Sequence, residues 1–84
     1  MFKVILARKA KKNLDKIPID WQKRIVLILK KLENNPLIGK KLEGHYEDNY
    51  SIRVWPYRII YSINKKQLIV SVIEIEHRGR AYRK

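Results

Sequence analysis

Tyr50 to Tyr61 reads YSIRVWPYRIIY, and this stretch decides the fold. Tyr, Ile or Val recurs at every second position on both sides of Trp55-Pro56, which is the period of a half-buried strand. A symmetric, even-numbered turn centred on that bond predicts a hairpin in which Arg53 lies directly opposite Arg58. Like charges across a strand pair are destabilising. Two interpretations stay open: the arginines hold an anionic ligand, or both side chains bend into solvent.

Length, charge and cysteine content limit the function classes. The 84 residues are predicted to form one domain, 1–84, and 20 Lys+Arg against 8 Asp+Glu give a net charge of +12. That surplus favours nucleic acid or an acidic protein as partner. The absence of cysteine excludes thiolate metal sites and thiol nucleophiles. The two histidines lack metal-site spacing, so we expect no metal and no cofactor.

The sequence predicts neither a membrane-spanning run nor a secretory signal. No stretch of the sequence is apolar for long enough to cross a bilayer. The N-terminal MFKVILARKAKK places its apolar run before its charges, the reverse of a signal peptide. We therefore expect a cytoplasmic protein with no membrane partner.

Two helices are predicted between a first strand and the hairpin. Phe2 to Leu6, FKVIL, has the composition of a strand. Apolar residues then recur at helical spacing from Ala7 to Ile17, and Pro18 ends that helix. Asp20 is a predicted N-cap for a second helix that stops at 34–36, Asn-Asn-Pro. The two helices are predicted to form an antiparallel hairpin on one sheet face.

The remaining segments complete a small sheet. Residues 37–49 lack periodicity and are interpreted as a loop. Residues 68–75, LIVSVIEI, are predicted to form the last strand, and a turn at Lys65-Lys66 places Arg58 opposite Ile73. The predicted fold class is α+β, with the order β-α-α-β-β-β. Its small, mostly antiparallel four-stranded sheet carries the helix hairpin on one face.

The C-terminal segment 74–84, EIEHRGRAYRK, carries basic and aromatic side chains beyond the last strand. Because that strand runs antiparallel to the strand of Arg58, its end returns toward the hairpin tip. Arg78 and Tyr82 can thus approach Arg53 and Arg58. The two glutamates of the segment can pair with its arginines and position them.

At these residues the sequence resembles the RelE/ParE superfamily of bacterial and archaeal toxins, and within it the RelE-like branch. The resemblance covers nearly the whole chain through four ordered motifs: L-x-G (42–44), Y-x-I-R-V (50–54), Y-R-I-I-Y (57–61) and H-R-x-x-x-Y (77–82). It implies an antiparallel sheet with two helices on one face, and a type II toxin held inactive by a cognate acidic antitoxin. In the RelE-like branch it implies a metal-independent endoribonuclease. Such an enzyme cleaves messenger RNA in the ribosomal A site, where a ribose 2′-hydroxyl attacks the adjacent phosphate.

The resemblance also assigns the site, residue by residue. Arg53 and Arg58 match basic positions that contact and neutralise the phosphate. Arg78 matches an arginine near the leaving oxygen, and Tyr82 matches a C-terminal tyrosine of the site. These four are the expected catalytic residues. Contact with RNA is expected for Lys40, Lys41, Ser51, Trp55, His77, Arg80 and Arg83.

One position departs from the family pattern. The residues that act as general acid and general base are also not assigned. Ser51 stands where some ribosome-dependent members carry a lysine, which removes a candidate proton-transfer or charge-stabilising group. His77 partly compensates if it points inward, because an imidazole can accept or donate a proton; otherwise it is structural or solvated. Tyr82 either takes part in catalysis, stacks on a base or packs at the C-terminus. Two other functions are considered: a ParE-like DNA gyrase inhibitor without nuclease activity, and an inactive RNA-binding homologue.

Overall fold

The computed structural model describes residues 1–42 and 49–78. These residues form two helices and a five-stranded sheet, so the predicted α+β class is confirmed and the predicted strand count of four was one too low. The elements are β1 Lys3–Leu6, α1 Arg8–Asp15, α2 Ile19–Asn34, a 3-10 turn Pro36–Ile38, β2 Lys40–Lys41, β3 Asn49–Val54, β4 Tyr57–Asn64 and β5 Ile69–His77.

The strands lie in the order β1-β5-β4-β3-β2. β1 runs parallel to β5, and every other neighbouring pair is antiparallel. The β3–β4 hairpin has the predicted register, with Arg53 opposite Arg58. The additional strand, β2, places Lys40 opposite Ser51 within the segment that was interpreted as a loop. Two residues display no periodicity, so the pattern could not reveal this strand.

The register between β4 and β5 differs from the prediction. Arg58 lies opposite Glu76, so the predicted pairing with Ile73 was wrong. The turn spans the four residues 65–68 instead of two, and its last residue, Leu68, has a left-handed φ of 57°. A β-bulge beside Ile60 then shifts the pairing by one further residue. A carboxylate consequently lies beside the arginine pair.

The second helix begins earlier than predicted. α2 starts at Ile19 with Pro18 as its N-cap residue, and Asp20 lies in the first turn without making a side-chain cap. The N–H groups of Trp21 and Gln22 donate to the carbonyl of Pro18 at 2.9 and 3.0 Å. The helix can start there because the extended backbone of Pro18 (ψ 145°) already presents that carbonyl. The Asp20 carboxylate still lies near the positive end of the helix.

One apolar core lies between the helices and one face of the sheet. Tyr57 and Tyr61 are buried in it, and Tyr50 stacks on Tyr61 with 5.6 Å between ring centroids, as the alternation predicts. The other buried members are Ala10, Ile17, Ile25, Leu29, Leu32, Ile59, Val70, Val72 and Ile75. Because strand side chains alternate between faces, Arg53 and Arg58 lie on the opposite side. We call that side the outer face.

The first helix covers the open edge of β5 beyond the end of β1. The side-chain oxygen of Asn13 accepts a hydrogen bond from the Ile75 N–H at 3.1 Å, which satisfies an edge donor. Lys9 forms an ion pair with Glu74 at 3.2 Å. Among the residues that the structure describes, no helix is long and apolar enough to cross a membrane.

Candidate functional site

A groove of about 540 Å³ lies on the outer face, between β2 and the β3–β4 hairpin. Four of its six lining residues are cationic, so the groove suits an anionic ligand. The lining residues are Lys40, Lys41, Leu42, Ser51, Arg53 and Arg58. Three separate strands supply these cations. The sequence predicts contact with phosphate for both arginines and contact with RNA for both lysines.

The two arginines are direct cross-strand neighbours. Arg53 and Arg58 are opposed in the β3–β4 register, and both side chains line the groove. Two like charges at this spacing repel each other. The arrangement is therefore one that a negative charge between or beside the guanidinium groups would stabilise.

Glu76 supplies part of that negative charge. The Arg58 guanidinium donates from Nε at 3.1 Å and from Nη2 at 2.7 Å to the same Glu76 oxygen, Oε1. This contact uses one edge of the guanidinium. The edge formed by Nη1 and the second Nη2 hydrogen has no hydrogen-bond partner within residues 1–42 and 49–78. Arg58 can thus bind Glu76 and a second anion at once.

Tyr61 fixes the segment that leads into β2. Its buried hydroxyl donates to the Pro36 carbonyl at 2.7 Å and accepts from the Gly39 N–H at 3.0 Å. Burial raises the pKa of the Tyr61 phenol above its ordinary value, and the hydrogen bond from Gly39 opposes that shift. A Cβ on Gly39 would lie 2.8 Å from the Ser51 carbonyl oxygen, so this close approach requires glycine. The contacts hold Lys40 beside β3.

The end of β5 returns to the hairpin tip, as the antiparallel topology predicts. The Arg78 N–H donates to the Pro56 carbonyl at 2.7 Å, and the Arg78 guanidinium carbon lies 5.0 Å from the centre of the Trp55 ring. Trp55 is 59% exposed. The structure therefore brings Arg78 to Trp55, whereas Arg78 is not among the residues that line the groove.

His77 does not join the arginine pair. It lies opposite Tyr57, and their rings meet edge to face at 5.2 Å. Tyr57 packs in turn against Trp21 of α2, so His77 is held on the helix side of the sheet. Its buried Nδ1 has no hydrogen-bond partner among the described residues. This placement removes His77 as a substitute for the lysine that is missing at position 51.

Glu76, which pairs with Arg58 at the margin of the groove, is the residue whose partner was predicted wrongly from the sequence. The two glutamates of the last strand were expected to pair with arginines of their own segment. Instead Glu74 pairs with Lys9 of α1, and Glu76 pairs with Arg58 of β4. Only the shifted β4–β5 register could have revealed the second pair. Tyr82, Arg80 and Arg83 lie outside the described residues, so their assignments stay predictions.

Comparison of the sequence with family models gave a match over almost its whole length. The model described as "ParE toxin of type II toxin-antitoxin system, parDE" matches residues 4–82. No curated protein sequence matched the chain at a significant level.

Solved structures of toxins share the fold. The chain is 26% identical to a chain of the RelBE2 toxin–antitoxin complex from Mycobacterium tuberculosis, with a TM-score of 0.85 and coverage of 92% of this chain and 98% of that one. It is 29% identical to a chain of the RelE–RelB complex from the archaeon Pyrococcus horikoshii, with a TM-score of 0.82 and coverage of 94% and 97%. Isolated RelE from E. coli is 22% identical, with a TM-score of 0.81 and coverage of 92% and 84%. At that identity the likeness concerns the fold alone.

Proposed function

This chain belongs to the ParE toxin family of type II toxin–antitoxin systems, within the RelE/ParE superfamily, and we propose that its toxic activity is ribosome-dependent cleavage of messenger RNA. The observation that carries the proposal is the outer-face groove, in which Arg53, Arg58 and Lys40 from three strands line one space. Guanidinium groups suit phosphate because their donors form a planar fork that stays charged at neutral pH.

The proposed reaction is a transesterification within the RNA strand. The 2′-hydroxyl oxygen forms a bond to the adjacent phosphorus, and the bond from phosphorus to the 5′-oxygen breaks. A base takes the 2′ proton, and an acid delivers a proton to the leaving 5′-oxygen. The products are a 2′,3′-cyclic phosphate and a 5′-hydroxyl, with no change in oxidation state and no metal required. Arg53 and Arg58 stabilise the negative charge that grows on the phosphate oxygens.

The arginines cannot carry the proton transfers, because guanidinium keeps its proton at neutral pH. Tyr82 is the candidate that the family resemblance assigns near the reacting atoms. Arg78 is proposed to act near the leaving oxygen. Trp55, exposed at the hairpin tip beside Arg78, offers a surface on which a nucleobase can stack.

The proposed protein partner is a cognate acidic antitoxin. The M. tuberculosis and P. horikoshii structures are toxin–antitoxin complexes, which supports an antitoxin for this chain. A net charge of +12 favours an acidic, largely helical segment that covers the basic surface or displaces the C-terminal residues. The ribosome and messenger RNA, as the proposed target, place the toxin in the cytoplasm.

A second candidate activity is inhibition of DNA gyrase without nuclease activity. The matching family model is that of the ParE toxins, and this observation favours it. The two activities separate in one experiment, in which the purified protein is added to a translating extract and to a gyrase supercoiling assay. Cuts in the message at A-site codons, with supercoiling unaffected, are the expected result. Intact message together with blocked supercoiling would replace the nuclease by the inhibitor.

A further inference from the structure

We propose that Lys40 is a catalytic cation of the groove, and that its ammonium group binds the scissile phosphate by reaching across the small side chain of Ser51. The assignment rests on the proposed nuclease function and adds a residue to its machinery. The hairpin motifs that assign Arg53 and Arg58 do not include Lys40, because Lys40 lies on the separate strand β2.

The sheet register places Lys40 where it can reach the arginines. It is the direct partner of Ser51, and alternation puts both side chains on the outer face. Arg53 lies two residues further along β3, so it is a diagonal neighbour of Lys40. Such neighbours are about 7–8 Å apart, within reach of a long side chain. All three residues line the same groove as Arg58.

Ser51 keeps the space between these cations open. A serine side chain ends at its hydroxyl, so the groove floor beneath Lys40 is not filled by a longer group. The same hydroxyl can donate to or accept from a bound phosphate. A lysine at position 51 would occupy this space and deliver its own ammonium there.

Lys40 supplies positive charge that the two arginines, paired with Glu76, do not supply alone. Glu76 pairs with Arg58 at 2.7 Å, so the formal charges of Arg53, Arg58 and Glu76, +1, +1 and −1, leave only +1. A phosphorane carries more negative charge than the phosphodiester from which it forms, so it requires more positive charge than the ground state. Lys40 brings the formal charge of these four outer-face groups to +2. Lys41 also lines the groove, but it lies opposite Tyr50 and alternates to the other face of the sheet.

The backbone of Lys40 is anchored on both sides. The Gly39 N–H binds the Tyr61 hydroxyl at 3.0 Å, and the Leu42 N–H donates to the Asn49 carbonyl at 2.8 Å. A lysine on a short edge strand also discourages pairing with other chains. If Lys40 served only to prevent such pairing, its substitution would change the solubility of the protein and leave RNA cleavage intact.

The test removes the positive charge at position 40 and places it at another position of the sheet. Cleavage of message on programmed ribosomes is measured in single turnover for the full chain and for Lys40→Gln, which keeps a polar side chain and removes the charge. Two double variants restore the net charge: Lys40→Gln with Ser51→Lys places it in the groove, and Lys40→Gln with Ser62→Lys places it elsewhere on the outer face. Lys66→Ala, in the β4–β5 turn, is the control for charge loss away from the groove. Thermal unfolding of each variant checks the fold.

We expect Lys40→Gln to slow cleavage by roughly 100-fold, the loss typical of one removed charge-stabilising donor. Ser51→Lys should return most of the rate, whereas Ser62→Lys should not, and Lys66→Ala should match the parent. Parental cleavage by Lys40→Gln, or no better rescue by Ser51→Lys than by Ser62→Lys, overturns the assignment. If the parent itself does not cleave, the nuclease function fails and the assignment falls with it, so the two failures are distinct.

Discussion

Arg58 and Glu76 share one carboxylate oxygen through two hydrogen bonds, from Nε at 3.1 Å and from Nη2 at 2.7 Å. The pair places an acidic group at the margin of a groove whose other charges are positive. It fixes one edge of the guanidinium and leaves the other edge directed elsewhere. Glu76 therefore both orients Arg58 and weakens the attraction of the groove for anions.

Removal of the Glu76 charge should tighten RNA binding. Glu76→Gln keeps an oxygen that accepts from Arg58, while a negative charge near the bound phosphate disappears. At about 6 Å in a water-like medium this charge is worth somewhat under 1 kcal/mol, so we expect roughly a threefold gain in affinity. Fluorescence anisotropy with a non-cleavable 2′-O-methyl oligonucleotide measures it.

Glu74→Gln is the matched control for that experiment. It removes the same charge from the same strand, but the Glu74 carboxylate pairs with Lys9 of α1 instead of Arg58. A smaller gain in affinity is expected. Equal gains for the two variants would mean that Glu76 acts only through the net charge of the protein.

Loss of either groove arginine should abolish toxicity and leave the fold intact. Arg53→Ala or Arg58→Ala removes one charge-stabilising group, which lowers the cleavage rate by about 10²–10³-fold. The Arg58–Glu76 pair is partly exposed, with side-chain exposures of 36% and 23%, so its loss costs no more than about 1 kcal/mol of stability. Growth after induction and thermal unfolding report the two quantities.

Arg24→Ala provides the comparison for the arginine variants. Its guanidinium lies 4.6 Å from the centre of the Trp21 ring on α2, away from the groove, and the variant should remain toxic. Growth arrest by Arg53→Ala and Arg58→Ala at the parental level would contradict a phosphate-binding groove.

The alternation of side chains made most of the sheet predictable. A period of two in the hairpin predicts that Tyr50, Tyr57 and Tyr61 face the core, and this is confirmed. A short, even-numbered turn predicts that Arg53 pairs with Arg58, and this is also confirmed. The apolar stripes likewise predict both helices, with the second starting one residue before Asp20.

Features that break periodicity could not be predicted. The left-handed Leu68 lengthens the β4–β5 turn, and the bulge beside Ile60 moves the last strand by one more residue. Together they replace Ile73 by Glu76 beside Arg58. The strand β2 is too short to show a pattern, so the position of Lys40 over Ser51 emerges only from the fold.

The salt dependence of binding should count the phosphate contacts. Each cation that neutralises a phosphate on a single strand contributes a slope of about −0.7 in log affinity against log salt. If several groove cations contact phosphates, the slope is steep, and Arg58→Ala should reduce its magnitude by about 0.7. Binding to RNA or to ribosomes at several salt concentrations measures both slopes. A flat response for the parent would indicate a target that is not a polyanion.

Tyr61→Phe should destabilise the protein by about 1–3 kcal/mol, because the Gly39 N–H and the Pro36 carbonyl then lose a buried partner. Tyr50→Phe is the control, since no hydrogen bond of its hydroxyl is seen among the described residues. Measured by denaturant unfolding, Tyr50→Phe should lose less stability than Tyr61→Phe. A larger loss for Tyr50→Phe would contradict the anchoring role of Tyr61.

Because of the buried Tyr61 phenol, we expect the stability of the folded protein to depend on pH in the alkaline range. Burial raises its pKa in the folded protein, so above pH of about 10 the unfolded chain releases this proton first. The stability due to Tyr61 is complete below that pH and is lost as pH rises through the folded pKa. The parent should therefore lose stability with pH more steeply than Tyr61→Phe, by at most about 1.4 kcal/mol per pH unit. Parallel curves would contradict the raised pKa.

The convergence of Lys40, Arg53 and Arg58 on one phosphate can be observed directly by NMR. The labelled chain is titrated with a 2′-O-methyl trinucleotide, which binds without being cleaved. We expect the Nε–H resonances of both arginines and the Ser51 amide to shift together with one dissociation constant, while the resonances of the α2 amides do not move. Shifts confined to α2, or arginine resonances that do not move, would contradict the central claim.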